Sequence, residues 1–351
     1  GRTLSFYLDG TLMGSAKTYG YDALAVLPIS NIAIGQYTLR VDFAGDGNNN
    51  PVTKTSTLTV TKASTAIDAM STRGKYGTTQ TLSATLYPYL PNKKLTFKVD
   101  KVEVGTALTD AQGVATLSYA IPDTSKVGDH PLLVEFAEDD QLYSASGSAT
   151  LTVIQTGANL SLGNVSARIG ETKNLSTTLT RETDKAKLAG KTITFTLAGS
   201  VLGTLTTDSK GQAAIAYKTD ESLGVGKFTL QADFAGDSHY VKSSKSVTLT
   251  VSQASTKITS TSVNGKVGGS VALAATLFRT TDQKNLSGKA LKFQIDGVDV
   301  GTATTDANGA ASLSYTIPST MSVGKHPIKV LFDGDTYYLS STKTGNTLTV
   351  K

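Results

Sequence analysis

Cysteine is absent from all 351 residues, which excludes disulfides, thiolate chemistry and cysteine-ligated zinc together. Export stays open, because many exported proteins do without it. No run of about 18 apolar residues occurs, so the sequence holds no candidate for a transmembrane helix. The opening residues GRTLSFYLDG lack the charged-then-apolar layout of a signal peptide, and any export signal is expected outside these residues. Dense basic runs are missing too. Lys and Arg number 33 against 28 Asp and Glu, a formal charge of +5 spread along the chain, which argues against a nucleic-acid partner. Histidine is scarce: His130, His239 and His326 lie far apart and support neither a Ser-His-Asp set nor another acid–base site. The Gly-Lys pairs of AGKTITF and SGKALKF lack the spacing and following helix of a phosphate loop. No catalytic residue, cofactor-binding residue or metal ligand is therefore assigned, and no enzyme is expected.

Thr, Ser and Gly are plentiful instead, with 39% hydrophobic and 17% charged residues, a bias that suits strands and turns. The length accommodates two to four domains. One motif recurs: DFAGDGNN from Asp42, EFAEDDQLY from Glu135, DFAGDSHY from Asp233 and LFDGDTYY from Leu331. Its phenylalanines, Phe43, Phe136, Phe234 and Phe332, lie 93, 98 and 98 residues apart. Asp110, Asp208 and Asp306 keep the beat of 98, and Gly35, Gly128, Gly226 and Gly324 repeat the 93, 98 and 98. The short interval has a local cause: Leu86 to Phe97 spans 11 residues where Leu179 to Phe195 and Leu277 to Phe293 span 16. A fixed period of this kind marks a repeat architecture.

Within a repeat the apolar residues alternate, placing one strand face in the core and the other in water. Leu273, Ala275 and Leu277, then Leu291, Phe293 and Ile295, then Ile328, Val330 and Phe332 show it in the fourth repeat. About seven short strands in roughly a hundred residues, with turn signals every 8 to 12, predict an all-β fold of tandem immunoglobulin-like sandwiches. The Asp-Xaa-Xaa-Gly runs are expected as hairpins turned by an Asx-capped carboxylate. In the recurring motif Phe234 is expected in the core, Asp233 toward water, Gly236 at a sharp exit and Asp237 accepting from turn N–H groups. Tyr240, with Tyr143 and Tyr338 as its equivalents, is expected to cap the barrel end with a wet hydroxyl.

The cadence FAGD…Y…S…LTV, after VGKFTLQAD and before VSQASTKI, resembles the bacterial Ig-like repeats of large secreted and cell-surface proteins, adhesins included. Three full repeats and one partial one match. The resemblance implies an extracellular or cell-surface location and a structural or adhesive role as spacer or scaffold. Domains are expected at 1–62, 63–155, 156–253 and 254–351. RTLSFYLDG aligns with KALKFQIDG from Lys289, so the first domain is expected to lack its first two strands. Either the sequence is an excerpt of a longer protein or another chain completes that sandwich. Other copies or neighbouring domains of the same surface protein are the remaining expected partners.

Between Val60 and Ile67, Val153 and Leu160, and Val251 and Ile258 lie six residues each, so the repeats are expected as an elongated, semi-rigid rod. The recurring carboxylates, Asp42 and Asp46, Glu135 to Asp140, Asp233 and Asp237, Asp333 and Asp335, fit either calcium or capped turns. Calcium ligand spacing is missing and the linkers carry no acid, which favours the turns. Tyr87, Tyr89 and Tyr337 fit solvent-washed loops or a sugar-stacking surface, with YPYLPNK as its most distinctive stretch. The alternatives are thus a carbohydrate-binding module or a calcium-dependent adhesin or accessory module of a secreted enzyme or phage structure.

Overall fold

The computed structural model describes residues 1–351. It contains strands and turns and no helix, as the period-two pattern dictates. The chain divides into two compact units, Gly1–Ile154 and Gln155–Lys351.

The first repeat forms one four-stranded sheet from β1 (Thr3–Leu8), β2 (Thr11–Lys17), β3 (Gly35–Phe43) and β4 (Val52–Val60), ordered β2-β1-β3-β4. The second repeat supplies β5 (Ala66–Ala69), β6 (Thr72–Lys75), β7 (Thr79–Tyr87), β8 (Lys94–Val99), β9 (Val102–Leu108), β10 (Val114–Ala120), β11 (Gly128–Phe136) and β12 (Ala145–Ile154). These build a three-stranded sheet, β10-β7-β5, facing a five-stranded sheet, β6-β12-β11-β8-β9. The same order recurs over 158–252 and 256–350. Counted as segments there are eight strands, because the first strand of each complete repeat breaks in two and changes sheets; counted once, it gives the expected seven.

A side chain marks each crossing. Ser71 Oγ accepts from the Thr150 N–H at 3.1 Å, Asn164 Oδ1 from Thr248 at 2.9 Å and Ser262 Oγ from Thr347 at 3.0 Å. Each occupies a last-strand N–H just before the second half of the split strand takes over the ladder, so no backbone donor is orphaned there. That second half then pairs parallel with the last strand, Thr72–Lys75 against Leu151–Ile154 in the second repeat. All other ladders within the sheets are antiparallel.

The inward faces meet as the alternation requires. Leu82, Ala84 and Leu86 of β7 face Leu95 and Phe97 of β8 and Val134 of β11, all at 0% exposure. Phe195 and Phe293 hold the place of Phe97 in the later repeats, equally buried. Next to a bulge in each first hairpin of the larger sheet, a glycine makes room for the facing sheet. Leu117 lies 3.1 Å from where a Cβ on Gly105 would be, and Leu313 lies 2.9 Å from that of Gly301.

The first repeat departs further from expectation. Residues 25–34 form no strand, although Val26 and Leu27 are apolar there. In the complete repeats the strand at this place pairs only with the second strand of the repeat, as β10 does with β7. Without that partner its ladder has nowhere to form. Leu27 nonetheless lies over Gly14, 3.2 Å from its Cβ position, as Leu117 lies over Gly105. Phe6, the counterpart of Phe97, stays half-buried.

Candidate functional site: a clasp at the leading end of each repeat

The recurring motif closes the turn between the last two strands, and its carboxylate does two jobs. Asp237 Oδ1 accepts from the N–H groups of His239 and Tyr240, both at 2.9 Å, while its own N–H donates to the Tyr240 carbonyl at 2.9 Å. Asp139 repeats this with Gln141 and Leu142, and Asp335 with Tyr337 and Tyr338. The second oxygen faces a lysine. Lys93 Nζ lies 2.6 Å from Asp139 Oδ2, Lys191 2.6 Å from Asp237 and Lys289 2.5 Å from Asp335. In the first repeat Arg2 takes the lysine's part against Asp46.

Burial alone would raise the Asp237 carboxyl, but the Lys191 ammonium and the two turn N–H groups outweigh it and hold it below the usual range. Lys93, opposed by burial and helped by the N–H groups of Gln141 and Leu142, does the same for Asp139. Each of these two carboxyls therefore stays ionised at neutral pH, facing its lysine at 2.6 Å.

The lysine is itself presented by a buried threonine. Thr207 Oγ1 donates to the Leu188 carbonyl at 2.6 Å and accepts from the Lys191 N–H at 2.9 Å. Thr109 and Thr305 do this for Lys93 and Lys289. The next residue in each case, Asp110, Asp208 or Asp306, caps its own turn as expected: Asp208 Oδ1 accepts from Lys210 and Gln212 at 2.8 Å. That turn is not a hairpin, however. It joins β9 to β10, which belong to different sheets, so it is the corner where the chain changes layers. The glycine of the corner presses on the strand beneath: a Cβ on Gly309, at φ +70°, would lie 2.6 Å from the Leu277 carbonyl oxygen.

The clasp holds the incoming linker. Ala254 donates its N–H to the Tyr337 carbonyl at 3.0 Å and accepts from Leu339 at 2.9 Å. Thr156 pairs likewise with His239 and Val241, and Ala63 with Gln141 and Tyr143. Gln253 and Gln155 add side-chain amide donors to the carbonyls of Asp335 and Asp237, each at 2.6 Å. Lys62 instead pairs with Glu138 at 2.5 Å, which explains the acid at the glycine position of the second repeat.

Phe234 is buried and Asp233 half-exposed, as expected. The tyrosine equivalence needs correcting. Tyr240 and Tyr338 are buried, but the third member is Leu142, at 1% exposure, and Tyr143 is exposed beside it. Nor is the Tyr338 hydroxyl wet: it donates to Glu221 and lies 3.4 Å from Arg279 Nη1. Tyr87 and Tyr89 are exposed with ring centroids 4.9 Å apart, while Tyr337 is half-buried. His130 and His326 sit at matching strand positions, each against an aspartate, Asp100 and Asp296. No group of three or more His, Asp or Glu side chains is arranged to hold a metal ion.

Lys93, Lys191, Lys289 and their threonines escaped the sequence reading. Their signal was a constant separation, 46 residues from lysine to aspartate in every complete repeat, unbroken by the loop that is short in the second.

Among known families, a model described as bacterial Ig-like domain (group 3) matches residues 160–252 and 257–351. No curated protein matches the chain in sequence. Solved structures similar to it include a tetra-tandem repeat in the extending region of a large adhesion protein. That likeness has 20% identity over 99% of this chain and 92% of that one, with a TM-score of 0.34. A Ca2+-stabilised adhesin with which an Antarctic bacterium reaches out and binds ice aligns at 16% identity over 100% and 90%, TM-score 0.29. An I-band fragment of titin aligns at 15% over 81% and 97%, TM-score 0.31.

Proposed function

The chain belongs to the bacterial Ig-like domain family, group 3, and from that membership we propose that it is a non-catalytic structural and adhesive repeat segment, acting outside the cell as spacer or scaffold of a surface protein or filament. One observation carries the reading: the carboxylate that recurs in all four repeats is engaged in shaping a turn and, in the complete repeats, the same turn grips the linker. The most repeated chemistry in the molecule thus serves connection between repeats. Small-angle scattering of the chain is expected to give an extended particle longer than about 100 Å, four strand lengths end to end. Antibody labelling of intact producing cells is expected at the surface. A compact particle, or label seen only after permeabilisation, overturns the reading.

The half-buried inner face of the first repeat supports a partner that completes its sandwich, supplied by a neighbouring domain or another copy. Strands of the kind formed by Leu82, Ala84 and Leu86 are the chemistry that fits it. The carbohydrate-binding alternative rests on Tyr87 and Tyr89, whose rings are tilted 52° to each other and so offer a sugar ring no common plane. Glycan-array binding lost on changing both tyrosines would favour it over the spacer reading.

A further inference from the structure

The unit Gln155–Lys351 contains two complete repeats, and the residues where they meet form a charge network that neither the clasp nor the sandwich cores require. Arg279, only 3% exposed, holds Asp282 in a fork, Nε to Oδ1 at 2.7 Å and Nη2 to Oδ2 at 2.8 Å. The third repeat reaches into this pair from the other side. Lys218 Nζ lies 2.9 Å from Asp282 Oδ2, and Glu221 accepts the hydroxyl of Tyr338, itself at 0% exposure. Thr281 Oγ1 closes the seam on the Ile169 carbonyl at 3.0 Å.

We propose that these residues are a matched docking surface, in which the trailing end of one repeat, bearing Lys218 and Glu221, is recognised by the leading end of the next, bearing Arg279, Asp282 and Tyr338, and that this match fixes the joint without a metal ion. Every charge finds its opposite: Arg279 and Lys218 share Asp282, while Glu221 faces the phenol with Arg279 close behind it. Forked and buried, the arginine pair is geometrically demanding. A surface so arranged disfavours a neighbour lacking the complementary groups, because the hydroxyl of the buried Tyr338 would then lose its carboxylate acceptor.

Two other ends of the chain lack their half. At the leading end of the second repeat Pro88 stands where Arg279 would, Leu142 where Tyr338 would, and the loop that carries Asp282 is the short one. At the trailing end of the fourth repeat Thr316 and Ser319 replace Lys218 and Glu221. No hydrogen bond or ion pair joins residues 1–60 to residues 66–154. The receiving half does recur in the third repeat, where Arg181 Nε lies 3.3 Å from Asp184 Oδ1 and Tyr240 completes the set. The match stands whether or not the chain serves as a spacer.

The absence of cysteine makes the test clean. Lys245→Cys and Thr344→Cys, both exposed positions, carry spin labels on the third and fourth repeats of the full chain, and pulsed dipolar spectroscopy reads the distribution of distances between them. One narrow distribution is expected, unchanged by calcium or by chelator. Glu221→Ala and Tyr338→Phe, each shown by circular dichroism to remain folded, are expected to widen it by about twofold as the repeats regain independent motion. Equal widths in parent and both variants, or a parent distribution that broadens on chelation, overturn the proposal.

Discussion

His326 Nδ1 lies 2.5 Å from Asp296 Oδ2, and the other ring nitrogen, Nε2, lies 2.9 Å from the Ser322 carbonyl oxygen. His130 stands in the same way between Asp100, at 2.6 Å, and the Lys126 carbonyl, at 2.8 Å. A neutral imidazole has one N–H and satisfies one acceptor, whereas the imidazolium satisfies both. The Ser322 carbonyl and Asp296 accordingly raise His326 above its ordinary value. For His130 burial pulls the other way, and Asp100 with the Lys126 carbonyl overcomes it.

A histidine raised on folding stabilises the native state fully below its unfolded value, about 6.5, and that contribution fades as pH climbs through the folded value. Urea midpoints are expected to fall between pH 5.5 and 8.5, and His326→Phe, which copies Phe228 of the third repeat, is expected to flatten the slope for its unit. A midpoint that rises with pH over this window, unchanged by the substitution, is inconsistent with the geometry.

Asp237 and Asp208 each cap a turn, but only Asp237 also meets a lysine. Asp237→Ala is expected to lower the stability of its unit by about 2 kcal/mol, for hydrogen bonds to a charged acceptor. Asp208→Ala should cost about 1 kcal/mol, as for a lost cap. Denaturant unfolding of the two variants side by side decides the order, and reversal would remove the clasp from its assigned role.

Gly309 and Gly297 both have positive φ, +70° and +79°, yet a Cβ meets the Leu277 carbonyl at 2.6 Å in the first case and nothing within 4 Å in the second. Gly297→Ala is expected to cost about 1 kcal/mol, the backbone penalty alone. Gly309→Ala is expected to cost clearly more, because a backbone carbonyl must also move. Thermal melts of the pair measure the difference.

Phe293 is fully buried whereas Phe6, at the matching place in the first repeat, is half-buried. Phe293→Ala is expected to destabilise its unit by about 3–5 kcal/mol. Truncating Phe6 leaves less cavity and is expected to cost less than half as much. Equal losses at the two sites, read by hydrogen exchange of the surrounding strands, would mean that the open face is covered in solution.

The repeat and its sandwich were legible because burial on one face forces period two, and a shared length forces a shared beat. Turn chemistry was legible only locally. Asp208 and Gly211 look the same whether the strands they join share a sheet or face each other across the core, so the corner read as a hairpin. Leu142 was passed over because Tyr143 offered an aromatic ring one position away, while the turn counts residues from Asp139 and takes whatever stands third. The lysines of the clasp meet aspartates 46 residues away, and the network around Arg279 joins Arg279 to Tyr338 over 59 residues and Tyr338 to Glu221 over 117, separations at which no local pattern announces a contact. In the first repeat the residues of a strand are present, but the partner they need is missing, and propensity without a ladder makes no strand.

The split first strand lies parallel to the last one in every complete repeat. The chain therefore runs in the same direction through both strands of one shared ladder, and it leaves each such sandwich at the end opposite to the one it entered. When the two ends of a repeat are drawn apart, the hydrogen bonds of that ladder are loaded in shear and must yield together, where an antiparallel pair pulled from a common end would unzip one rung at a time. Extension of the chain is thus expected to meet a high, abrupt yield point in each complete repeat, while the first repeat, which lacks this ladder, gives way earliest.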